Sequence, residues 1–346
     1  MINLHYCLLT AFFFTLLSIP VIIRIVRKNE QFLDQPSERA SHQISIPTFG
    51  GIAIFFSLLF SIIFWIDLSE YTSLRYLLSS MLIIFFIGII DDLISLSPTK
   101  KLVGQLLAIT IMIYFNDLRI TSMYGVFAVH ELPYWISVGL TVFTMIVITN
   151  AYNIIDGLDG LAASVGVVIS LAFGTLFYFT KQYEFALLSW ALGASLMAFL
   201  RYNFYPAKIF MGDTGSLVIG FLFSVFAVKI VDSTIAVGEF DFDTKGSALA
   251  IAILIIPLFD ALRVFVIRVL NSKNPLSPDR NHIHHNLSDL GFGHRRTTLY
   301  ISVANVFFIL LIIFLRDLGI NYILLIILSI AIFLSRIPYW IKNKKR

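Results

Sequence analysis

Long apolar runs recur along almost the whole chain, at 4–25, 49–67, 74–90, 102–115, 134–152, 161–179, 185–200, 216–235, 248–269, 298–315 and 320–340. A helix needs roughly 20 apolar residues to cross ~30 Å of hydrocarbon. Eleven such helices take up about 220 residues and leave the rest of the 346 for loops and tails. Composition agrees: 58% of residues are apolar and 13% charged, against about 25% charged in soluble proteins. A soluble enzyme is excluded, and so is a disordered or nucleic-acid-binding tail protein. The expected fold is an all-α polytopic membrane protein of about eleven transmembrane helices, one integral-membrane domain over 1–346. Residues 2–26 are too long an apolar stretch for a signal peptide, and no small-residue cleavage site follows them. The single cysteine, Cys7, lies in that first run and excludes an intrachain disulfide.

Basic residues set the orientation. With the N-terminus outside, the cytoplasmic loops and C-terminal tail hold seventeen Lys and Arg against five outside, with Lys229, Arg263 and Arg336 within or at the edges of spans. The C-terminus is therefore expected in the cytoplasm, in a cell inner membrane. Between spans four and five, 116–133 alternates around Tyr124-Gly125, which predicts a small extracytoplasmic hairpin.

The same topology gathers unusual polar motifs on the cytoplasmic side. Asp91-Asp92 closes span three. Adjacent carboxylates repel unless a cation bridges them, and a hard cation such as Mg2+ prefers oxygen ligands alongside phosphate. A solvated helix cap is the competing reading. Lys100 and Lys101 follow, where an ammonium could neutralise phosphate. In Asn150–Gly160, if the segment is helical, Asn153, Asp156 and Asp159 project over one side, and Gly157 and Gly160 allow a tight turn or close approach of a ligand. The bland reading is a polar turn. In Phe210–Ser216, Asp213 and Ser216 could cap span eight, whose N-terminal dipole would favour phosphate, while Phe210 is either a base-stacking ring or an interfacial aromatic. Asp279–His285 carries Arg280, His282, His284 and His285. Zinc-finger spacing is missing there, which favours a phosphate or sugar contact over structural zinc. Within spans, Asp260 and Arg263, one turn apart, could neutralise each other, and Lys229 and Asp232, toward the outer end of span eight, could pair or snorkel.

Together with Pro47-Thr48-Phe49-Gly50-Gly51, these segments resemble the polyprenyl-phosphate N-acetylhexosamine-1-phosphate transferase family, in its order and spacing from residue 47 to 285. His282-Ile283-His284-His285 is similar to the WecA-like branch rather than the related MraY branch. The resemblance implies Mg2+-dependent transfer of N-acetylhexosamine-1-phosphate, GlcNAc-1-phosphate first, from a UDP-sugar to undecaprenyl (polyprenyl) phosphate. UMP is released, as the first membrane step of surface glycan synthesis, with Mn2+ as a substitute metal. It implies Asn153 and Asp213 as metal ligands and Asp91, Asp92 and Asp156 as catalytic acids. Asp159 and Phe210 would contact the nucleotide, and Lys101, Arg280, His282, His284 and His285 the phosphate or sugar. Expected partners are the donor, the acceptor and membrane lipids, with no nucleic acid and a homodimer left open. The same chemistry with UDP-GalNAc, a deoxy-N-acetylhexosamine or UDP-MurNAc-pentapeptide is the alternative. A secondary transporter is disfavoured because the convergent acids sit at span ends rather than at the midplane.

Overall fold

Helices form at Ile2–Arg27 (α1), Gly50–Trp65 (α2), Thr72–Ile94 (α3), Pro98–Asn116 (α4), Tyr134–Ile154 (α5), Leu161–Phe179 (α6), Tyr183–Asn203 (α7), Gly212–Val231 (α8), Gly246–Ile253 (α9), Ile255–Leu270 (α10), Ile283–Asp289 (α11), His294–Phe314 (α12) and Ile320–Lys344 (α13). The structure, a computed structural model, describes residues 2–28, 33–34, 46–233, 236–237, 240–241, 245–272 and 282–344. Two antiparallel two-residue pairs complete it, Leu33–Asp34 with Ile46–Pro47 and Ala236–Val237 with Phe240–Asp241. Each expected apolar run falls on helix over most of its described residues. Among the described residues, eight helices are long and apolar enough to cross a membrane, or nine if α9 and α10 count as one span. The chain is an all-α polytopic membrane protein. The expected straight span 248–269 is instead broken at Leu254 and bent by 79°. Of the remaining runs, α2 is short at 16 residues, and α4 opens on Pro98-Thr99-Lys100-Lys101.

The bundle is built around α8. From Leu217 to Val228 it carries no charge, and it is buried on every side. A helix apolar all round belongs inside a protein, and α2, α3, α5 and α9 surround this one. Where α2 crosses it, a Cβ on Gly51 would overlap the backbone of Thr214 and Gly215, so contact at this distance requires glycine. A buried hydroxyl trio, Thr15–Ser195 at 2.7 Å and Ser57–Ser195 at 2.9 Å, ties α1, α7 and α2 together. At the periphery, α1 and α13 leave Phe13, Leu17, Leu325 and Phe333 exposed, as lipid contact requires.

The segment between α4 and α5 reverses at Tyr124-Gly125, both with positive φ, and closes on one antiparallel bridge, Ser122 with Glu131. Asn321 at the start of α13 holds it by accepting from Phe127 N–H at 3.0 Å. The expected Lys229–Asp232 pair is replaced by other contacts: Asp232 accepts from Thr121 N–H and the Tyr124 hydroxyl, and Lys229 Nζ lies 5.6 Å from the Phe185 ring centre. The Asp260 carboxylate, beyond its neighbour Arg263 on the same helix, reaches another element, where it meets the His282 ring and accepts from Ile283 N–H.

Candidate active site

The first turn of α8 leaves backbone N–H groups without partners inside the helix, and its dipole makes that end positive. No side chain of its own caps it. Asp92, at the end of α3, reaches across instead. Its oxygens accept from Asp213 N–H at 2.8 Å, Thr214 N–H at 2.9 Å and the Thr214 hydroxyl. Asp156 accepts from Gly212 N–H. Two carboxylates from distant segments thus fill the helix start that the sequence offered to phosphate. Burial, with Asp92 opposite, pushes the Asp156 carboxyl up to about 7, against the pull of the Gly212 N–H.

Asp91, next to Asp92, turns another way. It is 6% exposed, accepts from Leu96 N–H at 2.6 Å and pairs with Lys101. The same ammonium lies 2.8 Å from Asp213 Oδ2, so Lys101 bridges acids from α3 and α8. Asn153 closes this side, its amide oxygen accepting from Ser216 Oγ at 2.8 Å one turn beyond Asp213. Among the described residues no three His, Cys, Asp or Glu form a ready metal cage. Mg2+ does not require one, since it binds through one or two carboxylates plus substrate phosphates. Asn153 and Asp213 supply hard oxygen donors, and an ammonium already sits against Asp213, so the donor set fits that ion.

The 156–160 turn is held from two directions. Asn203 accepts from Gly160 N–H at 3.0 Å and donates to the Ile209 carbonyl at 2.9 Å. Asp159, 2% exposed, accepts from Ala207 N–H at 2.9 Å and lies 3.4 Å from His294 Nδ1. A base approaching Asp159 would have to displace the Ala207 N–H. Phe210 is half-buried. Its backbone pairs with the 47–51 segment through Phe210 N–H to the Pro47 carbonyl at 2.7 Å and Gly50 N–H to the Phe210 carbonyl at 2.9 Å.

The histidines cluster at the start of α11. His282 and His284 are 5.5 Å apart and nearly parallel at 9°, and His285 packs 4.3 Å from His284. A Cβ on Gly157 would sit 2.8 Å from His284 Nε2, so that glycine makes room for a histidine rather than directly for a ligand. Burial pushes the His284 imidazole down to about 3, with His285 and His282 adding to the effect and Asp260 opposing it. A cavity of about 390 Å³ between α10, α12 and α13 has Asp260 and His284 in its wall and is otherwise mainly apolar, with Phe259, Leu287, Phe308 and Leu334. Arg280 lies outside the described residues. Sequence reasoning placed Asn203 among the polar residues at the cytoplasmic span ends without giving it a task, passed over Thr214 as a working group and set Asp260 aside; their long-range contacts supply the roles.

The description glycosyl transferase family 4 matches residues 74–231, the stretch that runs from α3 through α8. Over 332 residues, 95% of this chain and 90% of the relative, the sequence is 33% identical to a probable undecaprenyl-phosphate N-acetylglucosaminyl 1-phosphate transferase of Bacillus subtilis. The chain belongs to the polyprenyl-phosphate N-acetylhexosamine-1-phosphate transferase family. Two further members of that transferase family show the same similarity. A decaprenyl-phosphate N-acetylglucosaminephosphotransferase of Mycobacterium tuberculosis is 30% identical over 298 residues, 77% of this chain and 71% of its own. An undecaprenyl-phosphate alpha-N-acetylglucosaminyl 1-phosphate transferase of Escherichia coli is 29% identical over 304 residues, 86% and 80%.

Proposed function

We propose that this chain transfers GlcNAc-1-phosphate from UDP-GlcNAc to a polyprenyl phosphate and releases UMP. The reading is carried by the convergence of Asp91, Asp92, Asp156, Asp213 and Lys101 on the first turn of α8, in a chain whose relatives are named for this reaction. An oxygen of the lipid phosphate attacks the β-phosphorus of the donor. The bond from that phosphorus to the bridging oxygen breaks, and the bridging oxygen leaves on UMP. Lys101 neutralises negative charge gathering on the phosphoryl oxygens. Asp91, in contact with Lys101, takes the residual proton of the acceptor phosphate. Asn153 and Asp213 would hold Mg2+, with Mn2+ as its substitute, supplying charge neutralisation at the diphosphate. Phe210 and Asp159 contact the uridine, and the histidines bind the sugar and acceptor phosphate, a task that the family resemblance also gives to Arg280. The apolar cavity beside His284 suits an isoprenoid chain whose phosphate stays at the polar end.

Eleven spans, with the N-terminus outside and the C-terminus in the cytoplasm of a cell inner membrane, complete this reading. The charge bias supports it, and it opens the site to a cytoplasmic sugar nucleotide too polar to cross lipid. The test is UMP release by the purified chain with undecaprenyl phosphate, Mg2+ and a panel of UDP-sugars. Release is expected with UDP-GlcNAc above the other donors. No release with any UDP-sugar would overturn the reaction, and a clear preference for another donor would reassign the sugar.

A further inference from the structure

Asp260 lies on α10, just beyond the break at Leu254, and is 3% exposed. Its two oxygens do different things. Oδ1 accepts from Ile283 N–H at 2.9 Å, at the first residue of α11. Oδ2 lies 2.9 Å from His282 Nδ1, in a ring that is itself 7% exposed. Capping α11 needs one acceptor, and a neutral Ser or Asn would provide it. A buried carboxylate is an expensive way to cap a helix unless it also interacts with something that calls for charge.

We propose that Asp260 is a positioning residue for the transfer, acting through His282. This rests on the proposed reaction. A carboxylate facing a ring nitrogen only accepts, so His282 Nδ1 must carry the proton, and Nε2 is the nitrogen left to accept a hydrogen bond from a substrate hydroxyl. His282 rather than His284 takes this part. His284 is held against Gly157, and the carboxylate contacts the His282 ring directly. The near-parallel stack passes the orientation on, from α10 through His282 and His284 to the 156–160 turn. Asp260 follows the bend between α9 and α10 and meets His282 and Ile283, 22 and 23 positions later in the chain.

Asp260→Asn tests this with little change of shape. The amide oxygen still caps Ile283, which leaves the NH2 group facing Nδ1. That nitrogen must then accept, and the proton moves to Nε2. Nitrogen-15 NMR of the full chain in lipid, with His282 assigned through His282→Ala, should show Nδ1–H in the wild type and Nε2–H in Asp260→Asn. In the UMP-release assay Asp260→Asn should lower kcat at least a hundredfold with donor KM within threefold. Asp260→Asn combined with His282→Ala should be no slower than His282→Ala alone, since a residue acting through His282 has nothing left to act on. An unchanged His282 tautomer, or losses that multiply in the double variant, would overturn the proposal. A wild type that releases no UMP counts against the reaction instead, while the NMR result still decides the contact.

Discussion

Asp91 and Asp92 are neighbours in sequence with opposite partners. One faces the Lys101 ammonium, and the other faces the backbone N–H groups that begin α8. The variants should therefore separate. Asp213→Ala removes an oxygen donor and a partner of Lys101, and turnover should fall below detection with the melting temperature unchanged. Asp92→Asn leaves one acceptor oxygen where three donors point, and should cost about 1–3 kcal/mol of stability through the unsatisfied group. Thermal unfolding and UMP release on the same preparations distinguish the two. His284 offers a pH test. Its proton affinity is depressed in the fold, to about 3, so the unfolded chain binds the extra proton between roughly pH 6.5 and 3. Stability should be fully present above about pH 6.5 and fall on acidification, by at most ~1.4 kcal/mol per pH unit from this group. His284→Gln should remove that part of the slope, as read from melting temperatures between pH 7 and pH 4.

At the scale of elements, the crossing of α2 and α8 depends on Gly51, where any side chain would meet the Gly215 backbone. Gly51→Ala should push the helices apart and destabilise by about 1–3 kcal/mol. Gly139→Ala, on an exposed face of α5 with nothing near its Cβ, should be neutral or stabilising by up to ~1 kcal/mol. Thermal melts of the two in detergent make the comparison. The cavity between α10, α12 and α13 gives a second test. Ala304→Phe fills part of it and should raise KM for a long-chain polyprenyl phosphate tenfold or more while leaving donor KM unchanged, displaced burial of one isoprenoid unit being worth roughly 1.5–3 kcal/mol. The helices themselves were legible as apolar runs, because lipid leaves the chain few other forms. The break at Leu254 did carry a signal, Pro257, which has no N–H to give the Ile253 carbonyl and suits the first turn of α10, but inside an unbroken apolar run it was not read as a break. The reach of Asp260 was not legible either: helical spacing names Arg263 as its neighbour on the same face, but does not say that His282 also faces it from a distant part of the chain.

Over the whole molecule, the motifs that stood far apart in sequence do meet, because α3, α5 and α8 pack side by side and all end or begin at the same level. Which acid serves which partner could not be read in advance, since the hydrogen bonds that decide it join residues 112 to 122 positions apart. The proposed orientation puts α11 in the cytoplasm and the 116–133 reversal outside. In a Cys7→Ser background, Asp289→Cys should resist a membrane-impermeant thiol reagent in intact cells and react in inverted vesicles, and Glu131→Cys should do the reverse. Labelling of Asp289→Cys from outside intact cells would invert the topology. One property follows from the burial of α8. Bilayers that are too thick or too thin act on the helices that touch lipid, which tilt or bend to compensate. The helix whose first turn carries the acids has almost no surface on which such mismatch can act. Turnover should accordingly vary little across phosphatidylcholine vesicles of different acyl length, even where the outer helices change their tilt.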